Sequence, residues 1–340
     1  MDHIDAASTR SRCHDKRNNP HGSGLSAFRP AGPEVIAAMR NGNTRPLPVA
    51  VIGGGFSGVA TAIQLGRLGD EGGVMLFDSG PGFGQGVAYA ATGVTNWLNV
   101  PAHNMSLDPD APSDFAEWLA GTPGIEAGIT ESPVGVFAQR PLYGRYLASR
   151  LESAAAAAPD LSPLRRFVDE VVDIIPAVEH IEIVCASGRC HLARAAVLAL
   201  GNLAKPLPDA AGRIVHAWDP RALDGLSPGL PVLMIGTGLT TVDIIAALSA
   251  RGFPGDVIAV SRRGLLPRQH RKSPPWPTPE LTAEEGRSVV TLLRRVRAEI
   301  RHAEREGADW RAVIDGMRPV TTHLWSGLGR GQRSRFIRHL

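Results

Sequence analysis

The sequence predicts a mixed α/β protein in which a strand, a glycine-rich turn and a helix follow one another twice. Short apolar runs lead into glycine clusters at 49–55 and again at 232–238. Apolar side chains with helical spacing follow each cluster, as expected for a helix packed on a sheet. No strand pattern returns after Glu284, so the chain is expected to finish in a helical segment.

Composition excludes several classes of protein. The 340 residues are 43% hydrophobic and 20% charged, which is enough apolar material for a packed core and suits two domains. A net charge of +3 is too small to build a surface for nucleic acid or a membrane. Three cysteines cannot form a disulfide framework, and no apolar run reaches the roughly 18 residues of a membrane span. We therefore expect a soluble, cytoplasmic protein that binds small molecules, with no nucleic-acid or membrane partner.

The domain boundaries follow from changes in pattern along the chain. Residues 1–46 scatter arginines among Gly, Asn, Ser and Pro, which predicts a disordered leader or a start codon placed too far upstream. The first domain is expected over 47–205 and carries a helical insert. The second is expected over 206–275, and the helical segment over 276–340.

The first domain is predicted to begin with a strand at Val49–Ile52 and a helix that carries Val59 and Ile63. A second strand, Val74–Phe77, ends at Asp78. Further elements are predicted as helices at 113–120 and 142–158, strands at 166–175 and 180–185, a turn at 186–189 and a strand at 195–200.

The second domain repeats this order with a strand at 232–236, a helix to about Ala250 and a strand at 257–263. A proline-rich stretch from about 270 interrupts regular structure. Thr282 and Glu285 match a capping box, which predicts the start of a long helix there.

The first glycine motif is Gly53-x-Gly55-x-x-Gly58, between a strand and a helix. In such motifs the first glycine permits the tight turn, the second lets backbone amides approach a pyrophosphate, and the third lets the helix pack closely. Asp78, at the end of the next strand, stands where a carboxylate accepts hydrogen bonds from a ribose hydroxyl. These residues predict a Rossmann-like dinucleotide-binding domain, and a glycine-rich turn with an ordinary surface aspartate is the alternative.

The second motif is Gly236-x-Gly238-x-x-Thr241, in which threonine replaces the third glycine, so helix and strand are expected to lie further apart. The next strand ends in Arg262 and Arg263 rather than an acid. Arginine at this place accommodates the 2′-phosphate of NADP, which predicts NADPH rather than NADH. A solvated strand end is the alternative. Two dinucleotide motifs in one chain are typical of a flavoprotein reduced by a nicotinamide coenzyme.

With both motifs, the chain resembles the two-dinucleotide FAD/NAD(P)-binding flavoproteins, and among them the group of bacterial FAD-dependent urate hydroxylase and aspartate N-monooxygenase. The resemblance is carried by 51–65, 82–119, 140–147 and 232–270. It implies an α/β fold with two Rossmann-like dinucleotide-binding domains, and FAD and NADPH as cofactors. Chains of this family normally continue beyond the equivalent of Leu340, so this chain is expected to be incomplete.

The resemblance also implies the binding residues. For FAD they are Gly53, Gly55, Gly58 and Asp78, then Gly84, Gly86, Ala88, Tyr89 and the stretch from Asn99 to Met105 near the flavin, with Val171 near adenine and Gly201 after the last strand. For the coenzyme they are Gly236, Gly238, Thr240, Thr241, Arg262 and Arg263.

The implied reaction is a monooxygenation, in which NADPH reduces FAD and a flavin C4a-hydroperoxide oxidises a small nitrogen-containing metabolite. No catalytic residue is predicted because the cofactor carries the chemistry, and the scattered histidines predict no metal site.

Two alternatives to the monooxygenase stay open. Cys185 and Cys190 have the C-x4-C spacing of flavin disulfide reductases, although pairing of two apolar residues across a hairpin is favoured. The second alternative is a non-catalytic dinucleotide-binding protein, the degenerate remnant of an enzyme.

Overall fold

The computed structural model describes residues 46–69, 71–80, 82–90, 96–158, 163–202, 214–217, 219, 222–282 and 284–339. The predicted leader lies outside these residues except for Pro46. The chain divides into two compact units, one that ends at Pro267 and one that begins at Arg268. The predicted boundaries at 205 and 275 stay predictions.

Eleven strands and eight α-helices are present in the described residues. The strands are β1 (Val49–Ile52), β2 (Val74–Asp78), β3 (Ile129–Ser132), β4 (Gly135–Ala138), β5 (Leu164–Val168), β6 (Val171–Pro176), β7 (Ile181–Cys185), β8 (Cys190–Ala193), β9 (Ala195–Leu198), β10 (Val232–Ile235) and β11 (Val257–Val260). The helices are α1 (Phe56–Arg67), α2 (Gly86–Tyr89), α3 (Asp114–Gly121), α4 (Arg140–Ala157), α5 (Leu239–Ala250), α6 (Val289–Arg305), α7 (Trp310–Gly327) and α8 (Arg330–His339).

The main sheet has the order β5-β2-β1-β9, and all of its pairs are parallel. Successive side chains of a strand point to opposite faces, so β1 contributes to two cores. Val51 packs with the first core cluster, which includes residues of α1 and α4, whereas Ala50 and Ile52 pack with residues of β7 and β8. Burial on both faces explains why β1 reads as a continuous apolar run.

The predicted strand at 166–175 is wrong as a single element. Its first half is β5 in the parallel sheet, and its second half is β6 in an antiparallel sheet of order β6-β7-β8. Asp169 lies at the break, where its buried carboxylate accepts hydrogen bonds from the Ser187 hydroxyl and the Arg189 guanidinium. These contacts hold the hairpin turn at 186–189 against the break and divert the chain into the second sheet.

A second parallel pair, β10 and β11, is connected by α5. We call β1, α1 and β2 the first glycine unit, and β10, α5 and β11 the second glycine unit. The strand predicted at 257–263 ends at Val260, so Arg262 and Arg263 lie in the loop beyond it. The helix predicted to reach Ala250 is confirmed.

The chain after Glu284 is helical in the described residues, as predicted. The capping box forms, since the Thr282 amide donates to Glu285 Oε2 at 2.9 Å and the Glu285 amide donates to Thr282 Oγ1 at 3.2 Å. However, it opens only a short 3₁₀ turn, Glu285–Arg287. The long helix α6 has its own N-cap, Ser288, so the predicted helix start at Thr282 was wrong by six residues.

Candidate functional site

A cleft of about 1350 Å³ opens at the carboxyl ends of β1, β2 and β9. This is the edge at which open parallel sheets bind their ligands. Seven of the predicted binding residues line it, together with His216 and with Phe56, Gln85, Asn202 and Asp219, of which the last four were not predicted from the sequence. The seven are Gly53, Gly55, Asp78, Gly86, Ala88, Tyr89 and Gly201.

Asp78 is held at the floor of the cleft by backbone amides. Gly54 N donates to Asp78 Oδ2 at 2.6 Å, and Gly80 N donates to Asp78 Oδ1 at 2.9 Å. Each carboxylate oxygen has a second lone pair and can accept another hydrogen bond. The side chain is therefore preorganised to accept from the vicinal hydroxyls of a ribose.

Two glycines of the first motif are required by the protein itself. Gly53 has φ +107°, and a Cβ there would lie 2.3 Å from Ala199 O. A Cβ on Gly58 would lie 1.7 Å from Gly53 O. Neither position accepts a side chain, because the turn, the helix and β9 meet there.

Gly55 differs from both. It has the ordinary extended φ of −73°, and a Cβ would meet only Gly86 Cα, at 3.6 Å. The protein thus leaves room for a methyl group at a residue that lines the cleft. A glycine here keeps the start of α1 open to a ligand, as close approach of a pyrophosphate requires.

Aromatic residues form one wall of the cleft. Tyr89 and Phe56 line it, and both rings lie against Tyr143, with centroids at 4.8 Å and 6.2 Å. Burial raises the pKa of Tyr89, and the positive charge of Arg140 opposes that rise. Tyr89 therefore stays a neutral hydroxyl beside the cleft. Phe56 could have been found from its place inside the glycine motif.

The predicted FAD residues Gly58, Gly84 and Val171 and the predicted stretch from Asn99 to Met105 do not line the cleft. Gly58 packs under the helix, and Gly84 (φ +91°) donates its amide to Gly54 O at 2.7 Å, which holds the loop in place. Asn99 is an exposed loop residue. Val171 opens β6 and packs on the core beside β7, so its predicted adenine contact stays a prediction.

The second glycine unit places its predicted residues around one turn. Gly236 has φ +113°, and Thr241 Oγ1 donates to Gly236 O at 2.9 Å. The loop after β11 is tied to this turn, because Thr237 Oγ1 lies 2.8 Å from Ser261 Oγ and 2.6 Å from Leu265 O. The same loop exposes Arg262 and Arg263, the two arginines predicted to contact a 2′-phosphate. Gly238 is the N-cap of α5, and Thr240 lies in its first turn.

The two cysteines are not a redox pair at this site. Cys190 pairs with Val184 across the hairpin, so the expected pairing of Cys190 with Cys185 is wrong. Burial raises the pKa of the Cys185 thiol to about 11, which suppresses the nucleophilic thiolate. Neither sulfur belongs to a residue of the cleft wall.

In the described part of the chain, no three His, Cys, Asp or Glu side chains come together as metal ligands would. None of its helices is long and apolar enough to cross a membrane.

Residues 50–203 match the family of FAD-NAD(P)-binding domains. This part of the chain is an FAD/NAD(P)-binding domain. The match begins in β1 and ends after β9, so it contains Asp78 and all of the cleft lining except His216 and Asp219, and it confirms the predicted class of cofactor. Together with the parallel sheets and the helical end of the chain, it confirms the predicted α/β fold class. Among curated protein sequences, none matches the chain significantly.

Several solved structures are similar to the chain. A flavin monooxygenase variant from Stenotrophomonas maltophilia is 22% identical, with a TM-score of 0.44, and the similarity covers 64% of this chain and 59% of that one. A thioredoxin reductase from Lactococcus lactis is 16% identical over 66% of this chain and 58% of that one, with a TM-score of 0.39. A complex of OTEMO with FAD and NADP is 19% identical, with a TM-score of 0.41, and the similarity covers 70% of this chain and 41% of that one. The chain thus spans less than two thirds of these proteins.

Proposed function

We propose that the protein is an FAD-dependent, NADPH-oxidising monooxygenase that acts on a small nitrogen-containing metabolite in the cytoplasm. The observation that carries the proposal is the cleft of the FAD/NAD(P)-binding domain, with Asp78 preorganised at its floor and Gly55 left open at the start of α1. A second strand–glycine–helix unit in the same chain supports a second nucleotide, and its exposed arginines support NADPH.

The residues of the cleft have separate tasks in this proposal. Asp78 accepts hydrogen bonds from the adenosine ribose, and the free amides at the start of α1 bind the pyrophosphate. Phe56 and Tyr89 exclude water from one wall. Bound FAD supplies hydride acceptance and oxygen activation. Tyr89, whose pKa is raised by burial, stays protonated and keeps a hydroxyl donor at that wall.

Arg262 and Arg263 bind the second nucleotide in this proposal. A guanidinium forms charge-assisted and bidentate hydrogen bonds to a phosphate dianion. The contacts of Thr237 with Ser261 and Leu265 hold the arginine loop close to the glycine turn, where the adenosine end of a coenzyme lies in such folds.

The test is the absorbance spectrum of the purified protein, followed by NADPH oxidation in air. The expected results are a flavin spectrum near one equivalent of FAD, bleaching by NADPH without oxygen, and peroxide release or product formation with oxygen. Colourless protein that takes up no added FAD would overturn the assignment of the cleft.

The second candidate is a non-catalytic dinucleotide-binding protein. The observation that favours it is the second glycine unit, whose strands leave large apolar side chains exposed to solvent. Among the described strands, β10 pairs only with β11, and Ile235 is 86% exposed. This candidate predicts binding of FAD and NADPH without bleaching. A disulfide reductase is disfavoured by the high pKa of Cys185 and its place outside the cleft wall.

A further inference from the structure

One ion pair connects the FAD/NAD(P)-binding domain to the second glycine unit. Arg140 Nη2 lies 3.1 Å from Asp243 Oδ2, and the two side chains are only 15% and 17% exposed. We propose that Arg140 and Asp243 are positioning residues that set the orientation of α5, and with it the coenzyme turn, against the flavin cleft. The inference rests on the proposed function, since it assigns the pair a part in hydride transfer between the two nucleotides.

On the first side, Arg140 is fixed to the segment that leads into the predicted flavin loop. It is the first residue of α4, and its amide donates to Asn96 O at 2.8 Å. Leu98 N donates to Ala138 O at 2.8 Å, so the chain at 96–98 runs beside the chain at 138–140. Burial raises the pKa of Tyr89 in the cleft wall and the charge of Arg140 opposes that rise, so the guanidinium acts on that wall electrostatically.

On the second side, Asp243 is fixed to the coenzyme turn. It lies in the second turn of α5, five residues after the N-cap Gly238. Thr241 Oγ1 connects the same helix to Gly236 O at 2.9 Å. A displacement of Asp243 is therefore transmitted to Gly236 and Gly238, the two glycines predicted to approach the coenzyme.

The ion pair of Arg140 and Asp243 is little exposed to solvent, so water cannot easily take the place of either partner. Burial raises the pKa of Asp243, and the charge and hydrogen bond of Arg140 counteract the rise. Water replaces a lost partner easily at the surface but not at a site that is this little exposed. The chain offers a matched control, because Arg251 and Asp224 form a pair of the same 3.1 Å length with exposures of 37% and 61%.

The test compares Asp243→Asn with Asp224→Asn in full-length protein. Spin labels are attached at Ser153→Cys in α4 and Ser249→Cys in α5, both exposed helix positions, in a Cys13→Ser and Cys190→Ser background. Cys185 is retained, because its thiol is buried and burial raises its pKa to about 11, which disfavours labelling at neutral pH. The readouts are the distribution of the label distance, the FAD and NADPH dissociation constants, and the rate at which NADPH reduces bound flavin.

Asp243→Asn is expected to broaden the distance distribution and to slow flavin reduction by about 10- to 100-fold, the usual cost of misplacing reactants by about 1 Å. FAD affinity is expected to stay within about twofold, since none of the cleft contacts changes. Asp224→Asn should match the wild type. The exchanged pair Arg140→Asp with Asp243→Arg should narrow the distribution again and restore most of the rate.

The double variant Arg140→Met with Asp243→Leu serves as the second test if Asp243→Asn does not fold. Replacing both buried charges by apolar groups preserves stability but removes the directional contact, so a broadened distribution is expected again. An unchanged distribution in either variant, or an exchanged pair that restores nothing, would overturn the inference. Failure of the proposed function has a different signature, namely wild-type protein without flavin reduction, and it leaves the distance measurement intact.

Discussion

The first and second glycine units use the same turn but different packing behind it. Gly53 and Gly236 have nearly equal backbone angles, φ +107° and +113°. At the third position of the motif, a Cβ on Gly58 would lie 1.7 Å from Gly53 O, whereas Thr241 carries a side chain that donates a hydrogen bond to Gly236 O at 2.9 Å. The prediction that threonine sets helix and strand further apart stays a prediction. The same glycine turn is thus followed by close backbone packing in the first unit and by a side-chain hydrogen bond in the second.

The two units also differ in how their strands are covered. All four residues of β1 are buried at the centre of a four-stranded sheet. In β10, Leu233 and Ile235 are 62% and 86% exposed, and in β11 Ile258 is 51% exposed. Burial of apolar surface stabilises the first unit much more than the second. The second unit depends more on polar contacts such as the hydroxyl of Thr241.

The largest expected effect tests the close packing of helix against turn in the first glycine unit. Gly58→Ala should destabilise the protein by about 3 kcal/mol or more, because its methyl group overlaps Gly53 O and the backbone must move. Thermal unfolding followed by circular dichroism checks this. Gly66→Ala is the control in the same helix, where a Cβ would meet only Leu164 Cδ1 at 3.8 Å. Equal melting temperatures for the two variants would contradict the close packing at Gly58.

The next effect tests whether each unit holds its own nucleotide. Gly55→Ala should abolish flavin retention and leave NADPH binding and folding unchanged, since the methyl group fits the protein but blocks the pyrophosphate. Gly238→Ala should have the reverse effect, because a Cβ there fits the protein as well and meets no described atom within 4 Å. The measurements are the ratio of FAD to protein and a coenzyme titration. Normal flavin content in Gly55→Ala would refute the first site.

A smaller effect concerns the choice of coenzyme by the second unit. Arg262→Ala or Arg263→Ala should raise the NADPH dissociation constant by about 10- to 100-fold, since a charge-assisted hydrogen bond contributes roughly 1.5–3 kcal/mol. NADH affinity should hardly change, and the effect should shrink at high salt. Titration of both coenzymes at two ionic strengths gives the NADH and NADPH dissociation constants that test this prediction. Equal losses for NADH and NADPH would assign the arginines to the fold or to the shared pyrophosphate.

The smallest expected effect concerns the hydrogen bond from Thr241 to Gly236 O, which takes the place of close packing in the second glycine unit. Thr241→Ala should lower the free energy of unfolding by about 1 kcal/mol through loss of its hydrogen bond to Gly236 O. Thr240→Ala, one position earlier in the same helix, should change it by less than about 0.5 kcal/mol. Urea unfolding of both variants gives the comparison, and a Thr241→Ala protein as stable as Thr240→Ala would show that the contact contributes nothing.

The sequence by itself determined the parts of this protein that depend on neighbouring residues. The two glycine turns, the helices that follow them, Asp78 at the end of β2 and the helical end of the chain were all predictable. Backbone sterics at Gly53 and Gly236, apolar periodicity in α1, and the reciprocal hydrogen bonds of Thr282 and Glu285 act within a few residues. A local pattern is enough to predict them.

Only the tertiary structure decided what depends on residues far apart in the chain. Asp169 divides the predicted strand at 166–175 between two sheets because Ser187 and Arg189 bind it from a later hairpin. Arg140 meets Asp243 across 103 positions. Such contacts arise when packing brings distant elements together and removes water from between them. No spacing along the sequence records them, and for this reason the connection between the two glycine units was visible only in the folded chain.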